Sequence, residues 1–202
     1  AVNGSLQNPE LLVQLDNGDS HFAVNGKLRP FEPLLNRKIV NLNIDGRQIN
    51  PAWFDPSLPA ADLVFNLALN PAEEADTLAG LLEVRNQAPA PINGNGIPVA
   101  GINGKLKVDT SGKLHLYNVD TELAAGGRIT FNGNIDSASQ NMAVDAAVQQ
   151  FKLQDILKQK LDLSLDGGIK LSGSLGSPQA DWQLKAGQTA TSGTFQLLTD
   201  KT

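Results

Sequence analysis

Leu171-Ser172-Gly173-Ser174-Leu175-Gly176-Ser177-Pro178 has a near copy at the other end of the chain, Val2-Asn3-Gly4-Ser5-Leu6-Gln7-Asn8-Pro9. Aligned without gaps, residues 4–18 and 173–187 share seven identities in fifteen positions. The phase of the apolar positions says more than the identities. After each proline the second, fourth and sixth residues are apolar: Leu11, Val13 and Leu15 in one copy, Ala180, Trp182 and Leu184 in the other. That is a strand of period two, restarted by a residue that cannot donate to a ladder and so belongs near a strand start. The surrounding stretch, Met142 to Gly187, carries the same one-sided alternation.

A chain of 202 residues suffices for one large β domain or two small ones. Its net charge is -5 and it has no basic run, so the electrostatic footprint of a nucleic-acid binder is missing, as is a polybasic membrane patch. With no cysteine there are no disulfides, thiolate chemistry or cysteine-ligated zinc. No signal peptide and no apolar run of membrane-spanning length occurs. Ala1 opens almost inside the first copy, so residues 1–202 are expected to be one continuous segment of a longer repeat protein. Aromatic residues are only 5% of the chain, leaving burial to Leu, Val, Ile and Ala. Asn-Gly or Asp-Gly pairs recur at 3–4, 17–18, 25–26, 45–46, 93–94, 95–96, 103–104, 132–133 and 166–167. Some fit hairpin turns; those inside alternating runs, such as Asn25-Gly26, are expected at bulges or strand ends.

In chain order, Leu11–Leu15 and Phe22–Leu28 form a hairpin around Asp16-Asn17-Gly18-Asp19. Pro30–Asn36 is a crossing segment, and Val40, Leu42 and Ile44 alternate against Asn41 and Asn43. Gln48–Pro59, with three prolines, is a loop, and Leu63, Phe65, Leu67 and Leu69 give the cleanest alternation. Asn70–Glu73 is a turn, Leu78, Leu82 and Val84 follow, and Asn86–Pro98 is a loop. Strands then run over Ile102–Val108, Lys113–Asp120, Arg128–Ile135 and Met142–Gln149. Phe151–Lys160 is the one helix expected, from the spacing of Phe151, Ile156, Leu157 and Leu161. Leu161–Leu165, Gly168–Leu175, Ala180–Ala186 and Thr194–Leu198 complete a dozen or more strands. The class is all-β and antiparallel.

A sandwich, a closed barrel or a sheet folded lengthwise into a trough could each hide the apolar face. Seven Phe, two Trp and one Tyr are few for a sandwich or barrel core, and a pattern restarting after 169 residues suits an array. A dozen strands stacked edge to edge span roughly 55–60 Å, and the terminal edges could pair with neighbouring repeats.

Four features together resemble a repeat of the TamB family, AsmA-like envelope proteins related to bridge-like lipid transfer proteins. They are the loop Asn50-Pro51-Ala52-Trp53-Phe54-Asp55-Pro56-Ser57-Leu58-Pro59 before a strand, the passage Glu83-Val84-Arg85-Asn86 followed by Pro89, Pro91, Ile97 and Pro98, the insert Phe151-Lys152-Leu153-Gln154-Asp155-Ile156-Leu157, and the Gly-Ser-Leu-x-x-Pro restart. Their order covers most of the chain. Ala180 departs from the pattern, standing where a larger apolar residue such as Leu11 is expected. The resemblance implies an elongated antiparallel sheet curled into an open apolar groove, a β-taco. It also implies a full-length protein anchored in the inner membrane and crossing the periplasm of a Gram-negative envelope. There it would meet a TamA-type outer-membrane partner through regions outside this segment.

The functional candidate is the apolar face: Val40, Leu42, Ile44, Leu63, Phe65, Leu67, Leu69, Leu82, Val84, Leu106, Val108, Ile129, Phe131, Val144, Val148, Leu163, Leu165, Ile169, Leu171, Trp182 and Leu184. On composition alone these residues could fill an ordinary core. With the resemblance they become the lining for phospholipid acyl chains moving between inner and outer membrane. The rival function is an assembly factor, working with the TamA-type partner, that templates outer-membrane β-barrels or secreted autotransporters on its sheet edges. A closed β domain of an adhesin or binding module is a third reading.

His21 and His115 alternate out of phase with Phe22, Leu114 and Leu116, so they are expected at exposed strand positions, not as metal ligands. Asp16-Asn17-Gly18-Asp19 lacks calcium-loop spacing. Asp162 and Asp166, four apart on a strand, would stand about 13 Å apart, too far for paired-carboxylate glycoside hydrolysis. No nucleophile elbow or phosphate-cradling glycine loop is present. The sequence therefore indicates no enzyme, cofactor, metal or nucleic-acid partner.

Overall fold

The structure, a computed structural model, describes residues 1–155, 157 and 163–196. Thirteen strands form one antiparallel sheet in which spatial order equals chain order. They are β1 (Val2–Ser5), β2 (Asn8–Asn17), β3 (Ser20–Leu28), β4 (Ile39–Ile49), β5 (Leu63–Pro71), β6 (Thr77–Asn86), β7 (Val99–Asp109), β8 (Lys113–Leu123), β9 (Arg128–Asp136), β10 (Asn141–Lys152), β11 (Ser164–Ser174), β12 (Ser177–Ala186) and β13 (Thr189–Gln196). Strand contacts of any weight are all between sheet neighbours. β1 and β13 are the outer edges, so the sheet is open.

The internal repeat is a repeat of hairpins. Gly4 pairs with Pro9 at the β1–β2 corner, as Gly173 pairs with Pro178 at the β11–β12 corner. Both glycines have a left-handed φ, 89° and 94°, and so do Gly18 and Gly187 at 61° and 59°, where each second strand turns. These are positions where a Cβ is costly, which explains why glycine is kept in both copies.

All thirteen strands belong to one sheet, so among the described residues no second sheet packs on its apolar face. The accessible surface is 12501 Å². A compact globular chain of this mass exposes about 9,100 Å². The excess fits a fold that leaves much of a sheet face accessible. The fully buried apolar side chains concentrate at Leu69, Leu78, Val119, Leu123 and the β10 run Val144, Ala146 and Val148.

Besides single extra residues near strand starts, Val40 in β4 and Ala100 in β7, three strands carry an extra residue farther along. The register jumps between Gly46 and Ile49 in β4, Leu116 and Val119 in β8, and Val148 and Phe151 in β10. In each, a polar residue takes a left-handed φ: Gln48 at 51°, Asn118 at 47° and Gln150 at 50°. A bulge leaves one N–H without a ladder partner. Asn132 Oδ1 accepts that of Asn118 at 2.9 Å, and Asp166 Oδ1 that of Gln150 at 2.8 Å. The in-strand Asx-Gly pairs adjoin these sites. Asp45-Gly46 opens the β4 bulge, Asn103-Gly104 and Asn132-Gly133 flank the β8 bulge from either side, and Asp166-Gly167 faces the β10 bulge. At Asn132 and Asp166 the amide or carboxylate caps the spare donor, and the glycine beside it makes room. A Cβ on Gly133 would lie 2.3 Å from Ala143 O. Because a glutamine at positive φ is strained, Gln150→Gly is expected to stabilise the chain by about 0.5–1 kcal/mol, and Gln150→Val to destabilise it by at least as much. Urea midpoints check both.

The helix expected over 151–160 is corrected among the described residues to a single 3-10 turn, Leu153–Asp155, extended by a bond from Leu157 N to Leu153 O at 2.8 Å. Phe151 and Lys152 still belong to β10, because the bulge returns Phe151 to the apolar face opposite Leu165. Residues 156 and 158–162, and with them Asp162 and the strand expected to begin at Leu161, lie outside the described residues, as do 197 and 198. Of the strand expected over Gly168–Leu175, residues 168–174 belong to the longer strand β11, and Leu175 opens the turn after it. The crossing segment after β3 ends in one helical turn, α1 (Leu35–Lys38), held by Asp76 Oδ1 accepting from Leu35 N at 2.9 Å.

Turn carboxylates hold the lower hairpins. Asp109 accepts from the Ser111 hydroxyl and from the N–H groups of Ser111 and Lys113, which keeps its carboxyl below its ordinary value of 3.8. The Ser139 N–H, then its side chain, does the same for Asp136. Lys107 lowers Glu74 in turn. Lowered folded-state values stabilise the sheet above the unfolded carboxylate range, and that stabilisation is lost as pH falls through the folded values. The urea midpoint is therefore expected to stay level down to about pH 5 and fall below about pH 4, less steeply in Asp109→Asn.

Candidate functional site

Paired residues in an antiparallel sheet share a face, so the register can be followed from strand to strand. One row runs Leu15, Phe22, Gly46, Phe65, Val84, Ile102, Thr121, Ile129, Val148, Gly167, Leu184 and Thr191. The next runs Val13, Val24, Ile44, Leu67, Leu82 and Gly104, continues through Val119 at the β8 bulge, and then takes Phe131, Ala146, Ile169, Trp182 and Gly193. A third runs Leu11, Gly26, Leu42, Leu69, Gly80, Leu106, Leu116, Gly133, Val144, Leu171, Ala180 and Phe195. Twelve strands at about 4.8 Å give rows of about 53 Å. No residue in them is charged.

The bulges are what keep the rows aligned. Strict alternation from Leu116 would turn Val119 to the other face; the extra residue Asn118 brings it back beside Phe131. Glycines are part of the face. A Cβ on Gly46 would sit 2.5 Å from the Phe65 ring, one on Gly193 2.5 Å from the Trp182 ring, and one on Gly80 2.7 Å from Leu69. Each glycine is a notch roofed by its neighbour's side chain, so the surface stays apolar where the alternation lapses.

Of the candidate lining residues, all but two take part in this ladder. Val40 sits at the register shift between the Leu28–Ile39 and Lys27–Asn41 pairs and has no ladder partner among the described residues. Leu163 precedes β11 and is exposed. Leu63 pairs with Ile49, Leu165 with Phe151, and Val108 with Leu78 and Leu114. Phe22, Val24, Ile102, Leu116, Val119 and Ala146 also lie in the rows, though they are not among the candidate lining residues.

The opposite face holds the charges. Lys27–Glu10 at 3.0 Å, Arg128–Asp120 at 3.3 Å and Lys170–Asp145 at 3.9 Å are cross-strand pairs there. His21 and His115 are on this face too, half-buried between strands instead of exposed. His21 Nδ1 lies 2.6 Å from Asp16 Oδ1, and the His115 ring stacks 6.3 Å from Tyr117. Among the described residues no group of three or more acidic or histidine side chains is arranged to hold a metal ion, and no helix is long and apolar enough to cross a membrane.

The upper ends of β4 to β7 carry two docked loops. Asn50 Oδ1 accepts from Ala52 N and Ala61 N, clamping both ends of the proline-rich loop. Buried Asn86 accepts from Asp62 N and Ala88 N and donates to Ile97 O, tying that loop to the next. Trp53 and Phe54 are left 58% and 77% exposed.

No protein-family model matches the chain, and neither does any curated protein or solved structure.

Proposed function

We propose that the chain is a segment of a periplasm-spanning envelope protein whose apolar sheet face curls into a groove and conducts phospholipid acyl chains between inner and outer membrane. The carrying observation is the three uncharged rows, apolar or glycine throughout except for Thr121 and Thr191, each about as long as the sheet is wide. An ordinary core needs apolar contacts at its centre; a conduit needs them from edge to edge, with no charge on the way. A soluble monomer normally exposes contiguous apolar patches of only a few hundred Å², and the rows are exposed toward their outer strands, at Val13, Leu15 and Phe195. Each acyl methylene that covers it contributes about 0.8 kcal/mol, and transfer needs continuity of lining, not chemistry. The resemblance to TamB-family repeats supports this reading. It brings the inner-membrane anchor, the TamA-type partner and the role in outer-membrane biogenesis. A photoreactive residue at Phe131 should yield phospholipid adducts identifiable by mass; adducts confined to protein would refute the conduit.

The assembly-factor reading rests on strand edges instead. β13 (Thr189–Gln196), the last strand of the described sheet, has no charge, no proline and an unbroken register to β12. Its far side can therefore receive a further strand, of a neighbouring repeat or of an incoming barrel. If edges matter most, proline at a β13 position whose N–H points away from β12 should impair barrel assembly while Leu67→Arg leaves it intact.

A further inference from the structure

A cavity of about 500 Å³ opens at the upper end of β2 to β5. Asn17 and Ser20, the pair that closes the β2–β3 hairpin, line it and share the face of Leu15 and Phe22. It therefore stands directly above the first apolar row, where a lipid whose tail follows that row would place its headgroup. Trp53 forms part of its wall, held by the doubly clamped loop. Its charged lining residues are Asp19 and Asp62, and no lysine or arginine lines it among the described residues. One oxygen of half-buried Asp62, Oδ1, is buried without a hydrogen-bond partner. A tryptophan and two carboxylates on one cavity lining suit an organic ammonium, which can gain from both cation–π attraction and charge pairing. A bare phosphate there would meet only negative charge.

We propose that this cavity is a headgroup station selecting ammonium-bearing zwitterionic phospholipids over anionic ones. The proposal rests on the acyl-chain reading above, and it assigns the specificity to Asp19, Asp62 and Trp53. Two partly exposed charge contacts imply a preference of roughly three- to tenfold.

The test incubates the 202-residue chain with vesicles of equal phosphatidylethanolamine and phosphatidylglycerol in the presence of a divalent-cation chelator, re-isolates the protein and quantifies bound lipid by mass. The wild type should enrich phosphatidylethanolamine by that factor. Asp19→Asn/Asp62→Asn should bring the ratio to near one with total lipid unchanged. Asp19→Lys, at an exposed turn where folding is not at risk, should tilt the ratio toward phosphatidylglycerol. A wild-type ratio of one, or a preference that survives both variants, overturns the ammonium station and leaves the conduit standing. Absence of bound lipid from the wild type overturns both.

Discussion

Leu67→Arg is expected to cut phospholipid adduct formation at Phe131 by about thirtyfold while costing only about 1–2 kcal/mol of stability. Leu67 lies in the middle of the second row, between Ile44 and Leu82, and is half-buried. An arginine there can lay its stem along the same neighbours and lift its guanidinium into water, which limits the folding cost. For an acyl chain the change is more severe. Two or three methylenes lose their apolar surface, worth about 2 kcal/mol or about thirtyfold in occupancy. Val148 provides the contrast. It is 4% exposed in β10, so Val148→Arg has no route to water and is expected to cost several kcal/mol and unfold part of the sheet. Adduct yield and urea midpoint, measured on both variants, separate transport from folding. A Leu67→Arg protein that loads lipid as well as the wild type would show that the rows are not the path.

The strand pattern was legible because period-two alternation survives almost everywhere, and the restart at Gly173-Ser174-Leu175 reports a hairpin corner that the register confirms at Gly173–Pro178. The Asx-Gly pairs were legible as bulge markers, though not why. The reason lies across the strand, in Asn132 and Asp166 accepting the spare N–H groups of Asn118 and Gln150. Two things misled. Phe151 looked helical because the bulge at Gln150 breaks its phase with Val148, so a period-two face imitated a longer period. Glycines at 26, 46, 80, 104 and 133 were absent from the expected apolar face, although each holds a place in its row. Only the neighbouring strands show that Leu42, Phe65, Leu106 and the two valines Val119 and Val144 cover them. Cross-strand cover is a tertiary property, invisible to any pattern read along one strand. The headgroup cavity was illegible for the same reason, since its walls come from a turn, a bulge and a loop.

The bulges also make deletions diagnostic. Removing Asn118 leaves Leu116, Tyr117 and Val119 in strict alternation, and both neighbouring ladders close: Gly104 would face Val119 on one side, and Val119 already faces Phe131 on the other. The apolar residues keep their face and a strained left-handed residue is lost. Stability is therefore expected to change by no more than about 1 kcal/mol. Deleting Thr130 from β9 has no bulge to absorb it. Either Ile129 or the set Phe131, Gly133 and Ile135 must change sides, away from Val148 or from Ala146, Val144 and Met142. A slip of one residue carries every side chain beyond it to the wrong face, and the cost is expected to exceed about 3 kcal/mol. Because a bulge adds local twist and bend, the Asn118 deletion should fold yet flatten the sheet at β8, and its Phe131 adduct yield should fall with stability unchanged. If it loads lipid normally, curvature at that bulge contributes nothing to the conduit. If it unfolds like the Thr130 deletion, the extra residue is not what sets the phase of the face.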